Sequence, residues 1–290
     1  MFYSNPIDFN DPLDCRPVVE PDSDNLTLRR ILTELIRNRV ERETLASLIN
    51  AKTEKSKMAK HAESVANQRA YNELQQIEYQ ATDPDYGSSF KDAECWILTN
   101  RIQDELLSRY EHGVCCFSSN CDNPLLWSHY GDQHRGICIG YEVEDLTNEQ
   151  PDKVEYGGSR KITTSLIAEA LLDKCDNAAQ YLVRKILFLK ASSWKYEKEW
   201  RMVGDRGLHN STLALKDITF GLRCSNAFKY VIHKTFERRK DVKFYEMNEL
   251  RGTFDLKREP FDASFMYDYP RNNLMILKAF SKKQFSEYEG

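Results

Sequence analysis

Between residues 26 and 112 apolar side chains recur at helical spacing, and after Gly113 that spacing disappears, so the chain cannot be all-helical or all-sheet. Leu28, Ile31, Leu32, Leu35, Ile36 and Val40 fall three or four residues apart, which predicts a helix over 26–50 with Asp24 or Asn25 as its cap. A second, more polar helix is expected over 53–80, with Met58, Ala62, Val65, Tyr71, Leu74 and Ile77 on a thinner stripe. Asp83-Pro84-Asp85-Tyr86-Gly87 then breaks the run, because short polar side chains and a fixed proline φ favour a turn. A third helix over 90–112 uses Ala93, Trp96, Ile97, Leu106, Leu107 and Tyr110.

Beyond Gly113 the apolar runs are short. Val114–Ser118, Gly136–Tyr141, Lys153–Tyr156, Trp200–Val203, Ile218–Leu222 and Val242–Tyr245 read as strands, with an edge strand over Thr253–Lys257. Glycines 136 and 140 inside the second of these point to close backbone approach. Asn123–Tyr130 reads as a helical turn with proline near its start, 165–189 as a helix, and 225–238 as a shorter one. The end of the chain from Asp262 reads as irregular. The expected fold is therefore α+β: one domain over 1–290, a helical block or insertion over 26–112, and a mixed, mostly antiparallel curved sheet over 113–258 that carries the site.

Composition excludes several classes. A formal net charge of −4 on 290 residues gives no bulk attraction to nucleic acid, and the run Lys234–Lys243 reads as a solvated helix end. No stretch approaches the roughly 20 apolar residues of a membrane-spanning helix, so no membrane partner is expected. The start, MFYSNPIDFN, lacks the basic end and apolar run of a signal peptide, and a chain of this length needs no disulfide staples. Cys15, Cys95, Cys115, Cys116, Cys121, Cys138, Cys175 and Cys224 are thus expected to be reduced, as in a cytoplasmic protein.

Four segments carry chemistry, each with a plainer structural reading beside it. Trp127-Ser128-His129-Tyr130, followed by His134 and Gly136, offers rings that stack on a flat ligand and an imidazole that exchanges protons near neutral pH; the plain alternative is a core tryptophan and a surface turn. Glu197, Glu199 and Arg201 share a face if they lie on one strand, where two carboxylates and a guanidinium can align a sugar hydroxyl; the alternative is an edge-strand charge ladder. Asn10-Asp11-Pro12 with Asp14 is a rigid polar turn that binds substrate or merely turns. Cys115, Cys116, Cys121, His129 and His134 are zinc-type ligands, but their spacing matches no paired-cysteine motif, so buried thiols and no metal are expected.

Read together, Phe9–Asp14, Cys116-Phe117-Ser118, Asn123–Gly131, His134–Gly140, Val154-Glu155-Tyr156, Lys190 with Trp194, and Tyr196–Arg201 resemble the bacterial family catalogued as domain of unknown function 2971, in order and spacing from residue 2 to about 250. That family resembles ADP-ribosyltransferases in layout, with small sheets around an NAD cleft. The resemblance implies Glu199 as catalytic carboxylate, Glu197 as its partner, and His129 as a third catalytic candidate. It places Trp127, Tyr130, Ser118, Asn10, Asp11 and Arg201 around a nucleotide-like ligand, with NAD as substrate. The activity implied is that of an NAD-using transferase or glycohydrolase in a defence or toxin system; the alternatives are a non-catalytic nucleotide-binding sensor or interaction module, and a metal-dependent hydrolase using the Cys/His cluster. The family's usual strand ahead of the Asn-Asp-Pro turn is expected to be missing here, since the chain opens on Met1-Phe2-Tyr3-Ser4.

Overall fold

The computed structural model describes residues 1–48, 55–86, 89–108, 112–143 and 150–264. In chain order these form β1 (Phe2–Tyr3), β2 (Val18–Glu20), α1 (Asn25–Leu48), α2 (Lys55–Gln80), α3 (Phe90–Ser108), β3 (His112–Ser118), α4 (Pro124–His129) and β4 (Ile137–Glu142). There follow β5 (Asp152–Lys153), β6 (Glu155–Tyr156), β7 (Lys161–Thr163), α5 (Thr164–Leu171), α6 (Asp176–Leu187) and β8 (Leu189–Lys190). A 3₁₀ helix over Ser192–Glu197 leads into β9 (Glu199–Asp205), β10 (Gly207–Leu208), β11 (Ala214–Phe220), α7 (Asn226–Thr235), β12 (Lys243–Glu249) and β13 (Leu256–Pro260). This is the α+β class read from the sequence, with mostly antiparallel pairing, although the strands are spread over several small sheets.

The chain divides into two compact units. The first holds Met1–Cys116, Asp152–Lys195 and Trp200–His209. Its core is built on α1, whose stripe Leu28, Ile31, Leu32, Leu35, Ile36 and Val40 is buried as predicted. Each such side chain contributes about 1.5–3 kcal/mol relative to exposure. Asp24 begins the helix by accepting from Thr27 N–H at 2.8 Å. In α2 the buried positions are Ala62, Ala66, Ala70 and Ile77, whereas Tyr71 is 60% exposed. Small residues spaced four apart let α2 lie close along α1, which explains why the expected larger side chains do not form the contact. Trp96, expected in the stripe of α3, is likewise outside, and Ala93, Ile97, Leu98, Ile102 and Leu106 are inside. Tyr110 and the residues from 265 onward lie outside the described residues.

Three further expectations change in this unit. The single helix over 165–189 is two helices, because Lys174 adopts φ +54 and turns the chain between α5 and α6. That turn lets Ile167 of one helix and Ile186 and Leu187 of the next reach the same core. The strand over Lys153–Tyr156 is two short strands with different partners: β5 pairs antiparallel with β9, and β6 pairs parallel with β8. A strand does precede the Asn-Asp-Pro turn, since Phe2 and Tyr3 pair antiparallel with Leu208 and Gly207.

The second unit holds Phe117–Pro151, Tyr196–Glu199 and Asn210–Gly290. Its sheet has the order β13-β12-β11-β4, with β11 parallel to β12 and antiparallel to β4. The edge strand lies at Leu256–Pro260, three residues later than read from the sequence. Ile218, Phe220, Cys224 and Val242 form its core, with Ile232 and Phe236 packed on it; Ser225 caps α7 by accepting from Phe228 N–H at 3.3 Å. A side chain at position 140 would overlap the Asp217 carboxylate, which would have to shift to admit it. No helix is long and apolar enough to cross a membrane among the described residues.

Candidate functional site

The site residues of the second unit gather around α4. Asn123 caps this helix by accepting from Leu125 N–H at 2.9 Å, Pro124 supplies its first turn, and the Asn123 side-chain amide donates to the Tyr196 carbonyl at 3.3 Å. Trp127, read as a wall of the site, is 3% exposed. Its indole N–H donates to the Cys121 carbonyl at 2.7 Å, and its ring stacks on His134 at 6.5 Å between centroids. The tryptophan therefore anchors the turn, and the ring presented to solvent is Tyr130, 56% exposed. His129 is exposed beside it, with the two rings edge-on at 6.1 Å.

The Tyr130 hydroxyl donates to the Glu197 carboxylate at 2.8 Å, although Glu197 is only 3% exposed. The backbone of this acidic segment is held as well. Ser118 Oγ donates to the Glu197 carbonyl at 2.6 Å, and Ser119 N–H donates to the Lys198 carbonyl at 3.2 Å. Between the two glutamates Lys198 adopts φ +46, a conformation that non-glycine residues rarely take. Its consequence corrects the strand reading: Glu197 ends the 3₁₀ helix, β9 begins only at Glu199, and the two carboxylates do not share one strand face. Glu199 is 4% exposed. The second unit thus brings together Tyr130, Ser118 and Glu197 by direct hydrogen bonds, with His129 on the same turn and Glu199 on the same segment.

Asn10, Asp11 and Arg201 belong to the first unit. Asn10 is exposed there. The Asp11 carboxylate accepts from the Trp194 indole at 2.7 Å and from Leu13 N–H at 2.9 Å. Arg201 is 1% exposed; it donates to Asp14 at 2.6 Å, to the Leu187 carbonyl at 2.6 Å, and lies over the Phe9 ring. Lys190 Nζ is 3.4 Å from the same Asp14 oxygen and sits over the Trp194 ring. The polar turn is thereby tied to two motif residues, Lys190 and Trp194, to which the sequence reading gave no role. The signal for them was present: Lys and Trp four apart, just ahead of the acidic segment.

The eight cysteines are not disulfide-bonded. Burial in the second unit pushes the Cys138 thiol up to about 11, with nearby Cys121 and Asp217 adding to the effect, so it is a neutral thiol at physiological pH. Among the described residues no group of three or more His, Cys, Asp or Glu side chains is placed to hold a metal ion.

The arrangement defines an α+β protein with an aromatic–carboxylate pair on a short helical turn. The family model described as protein of unknown function (DUF2971) matches residues 126–202, about a quarter of the chain, and this stretch is similar to that family. It contains α4 from Leu126 onward and both glutamates. No curated protein and no solved structure matches the chain.

Proposed function

We propose that this protein binds a nicotinamide-bearing nucleotide at the α4 turn and cleaves its nicotinamide–ribose bond. The observation that carries this reading is the Tyr130–Glu197 pair: a buried carboxylate tied at 2.8 Å to the hydroxyl of an exposed ring. In the proposed reaction the Tyr130 ring receives the flat base, and Glu197 fixes that ring's hydroxyl. Glu199 accepts a ribose hydroxyl and stabilises the cationic ribose as the C–N bond breaks; a carboxylate shielded from water does this far more strongly than a solvated one. Water then bonds to the ribose carbon, nicotinamide leaves neutral, and the proton released passes to solvent through His129. An acceptor hydroxyl in place of water gives the transferase version. The left-handed Lys198 between the carboxylates supports the same reading, because backbone strain of this kind concentrates where geometry serves a site.

Purified protein incubated with NAD is expected to release nicotinamide. Glu199→Gln should lower the rate by about 100-fold or more with the melting temperature kept. Glu197→Gln and Tyr130→Phe, which loosen positioning, should lower it less. Turnover in Glu199→Gln equal to that of the wild type contradicts the assignment. A second reading, a non-catalytic nucleotide sensor, is favoured by the near-complete burial of both carboxylates, and it predicts that NAD raises the melting temperature without being consumed.

A further inference from the structure

A second chemical centre lies in the second unit, at the other motif histidine. Ser128 Oγ is 3.2 Å from His134 Nε2, and the serine is exposed. That distance is within reach of a nucleophile and its base. The serine hydroxyl also lies 3.0 Å from the Pro124 carbonyl, to which it donates at rest. Two independent features show that the histidine is held at a cost. Its Nδ1 is buried and has no hydrogen-bond partner among the described residues, an arrangement that folded proteins rarely tolerate. The loop that presents it, Asp132-Gln133-His134, has three consecutive left-handed residues with φ of +47, +52 and +69.

The loop is nonetheless rigidly pinned. His134 N–H donates to the Trp127 carbonyl at 3.1 Å, and the His134 carbonyl accepts from Arg223 N–H at 2.9 Å. Gly221 packs so tightly on the His134 carbonyl that any side chain there would overlap it. Trp127 stacks on the imidazole with an interplanar angle of 17° and so fixes its plane. Burial and the nearby positive charge of Arg223 both pull the His134 pKa below the ordinary histidine value, which keeps the ring neutral. A neutral, oriented imidazole beside an exposed hydroxyl is a base next to a nucleophile, with Trp127 rather than a carboxylate as the orienting group.

We infer that Ser128 and His134 form a nucleophilic dyad that accepts acyl groups from activated esters. In the reacting tautomer the ring proton sits on Nδ1. The Ser128 hydroxyl turns its proton from Pro124 to His134 Nε2 as Oγ bonds to the acyl carbon. The carbon–oxygen bond to the alcohol breaks, and the imidazolium returns the proton to the leaving alkoxide. Water, deprotonated by the same nitrogen, then hydrolyses the acyl-serine and restores the dyad. This centre is independent of the NAD reading, since it uses neither Glu197 nor Glu199.

The test is covalent labelling with a fluorophosphonate, mapped by tandem mass spectrometry. Oγ displaces fluoride from phosphorus, and the hydroxyl proton passes to His134. The wild type is expected to carry the phosphonyl group on Ser128, Ser128→Ala to lose it, and His134→Gln to label about 100-fold more slowly at an unchanged melting temperature. Absence of the adduct from Ser128 in the wild type, or labelling of His134→Gln at the wild-type rate, overturns the inference. Should His134→Gln fail to fold, the wild-type rate is followed from about pH 5 to 8. A rise with one deprotonation below the ordinary histidine value supports the dyad, and a flat profile overturns it.

Discussion

Asp14, Lys190 and Arg201 take three charges out of water in the first unit, with side chains 2%, 5% and 0% exposed. Such a cluster adds little net stability as a whole, because desolvation offsets attraction, but removing one partner strands the others. Asp14→Ala is therefore expected to cost about 3–5 kcal/mol, read as a shift in the urea midpoint. An unchanged midpoint would mean that Asp14 is not what holds Arg201. Sequence spacing did not reveal this cluster, since the fold brings Asp14 to Lys190 and Arg201 across more than 170 residues. The same limit applies at the α4 turn. Its aromatic and imidazole groups were legible as a group, but which ring is core and which faces solvent follows from the Cys121 carbonyl and His134, and neither contact has a sequence signature.

Elements with strong periodicity were the most legible. All six apolar positions of α1 are buried as their spacing requires, and the Asn-Pro start of α4 sits where its capping chemistry puts it. Elements shaped by a single unusual dihedral were not legible. Lysine has no preference for positive φ, so neither the break at Lys174 nor the kink at Lys198 is marked by composition. At Lys198 this separates substitutions by backbone shape. Lys198→Gly is expected to be neutral within about 1 kcal/mol, because glycine takes the left-handed conformation freely. Lys198→Val is expected to destabilise by about 1–3 kcal/mol, because a β-branched residue is strained there. Calorimetric melting of the pair decides it, and equal loss in both would mean that the lysine side chain rather than the backbone matters.

At the scale of the whole molecule, two histidines tie stability to pH. His134 and His233 are both held below the ordinary value of 6.5, mainly by burial, with Arg223 acting on the first. On His233, Lys234 and Lys240 act in the same direction and Glu237 opposes them. Below about 6.5 the unfolded chain takes up protons that the folded chain refuses, so folding stability falls as pH drops through that value and levels off once the folded histidines are also charged. Melting temperatures between about pH 5 and 8 should fall on the acid side, and His134→Gln should flatten part of the slope. A profile unchanged by that substitution would contradict the assignment. The fold class was readable from the switch in apolar spacing near Gly113. The division into two compact units was not, because the chain passes between them at several points and no linker composition marks those points.

We propose that the α4 turn and the Glu197–Glu199 segment together break the bond between nicotinamide and ribose. The most direct measurement is a chromatographic time course of NAD incubated with an equimolar amount of the wild-type protein. NAD is expected to disappear while nicotinamide appears in equal amount, together with ADP-ribose or an ADP-ribosylated product. NAD that remains intact over hours at that stoichiometry would contradict it.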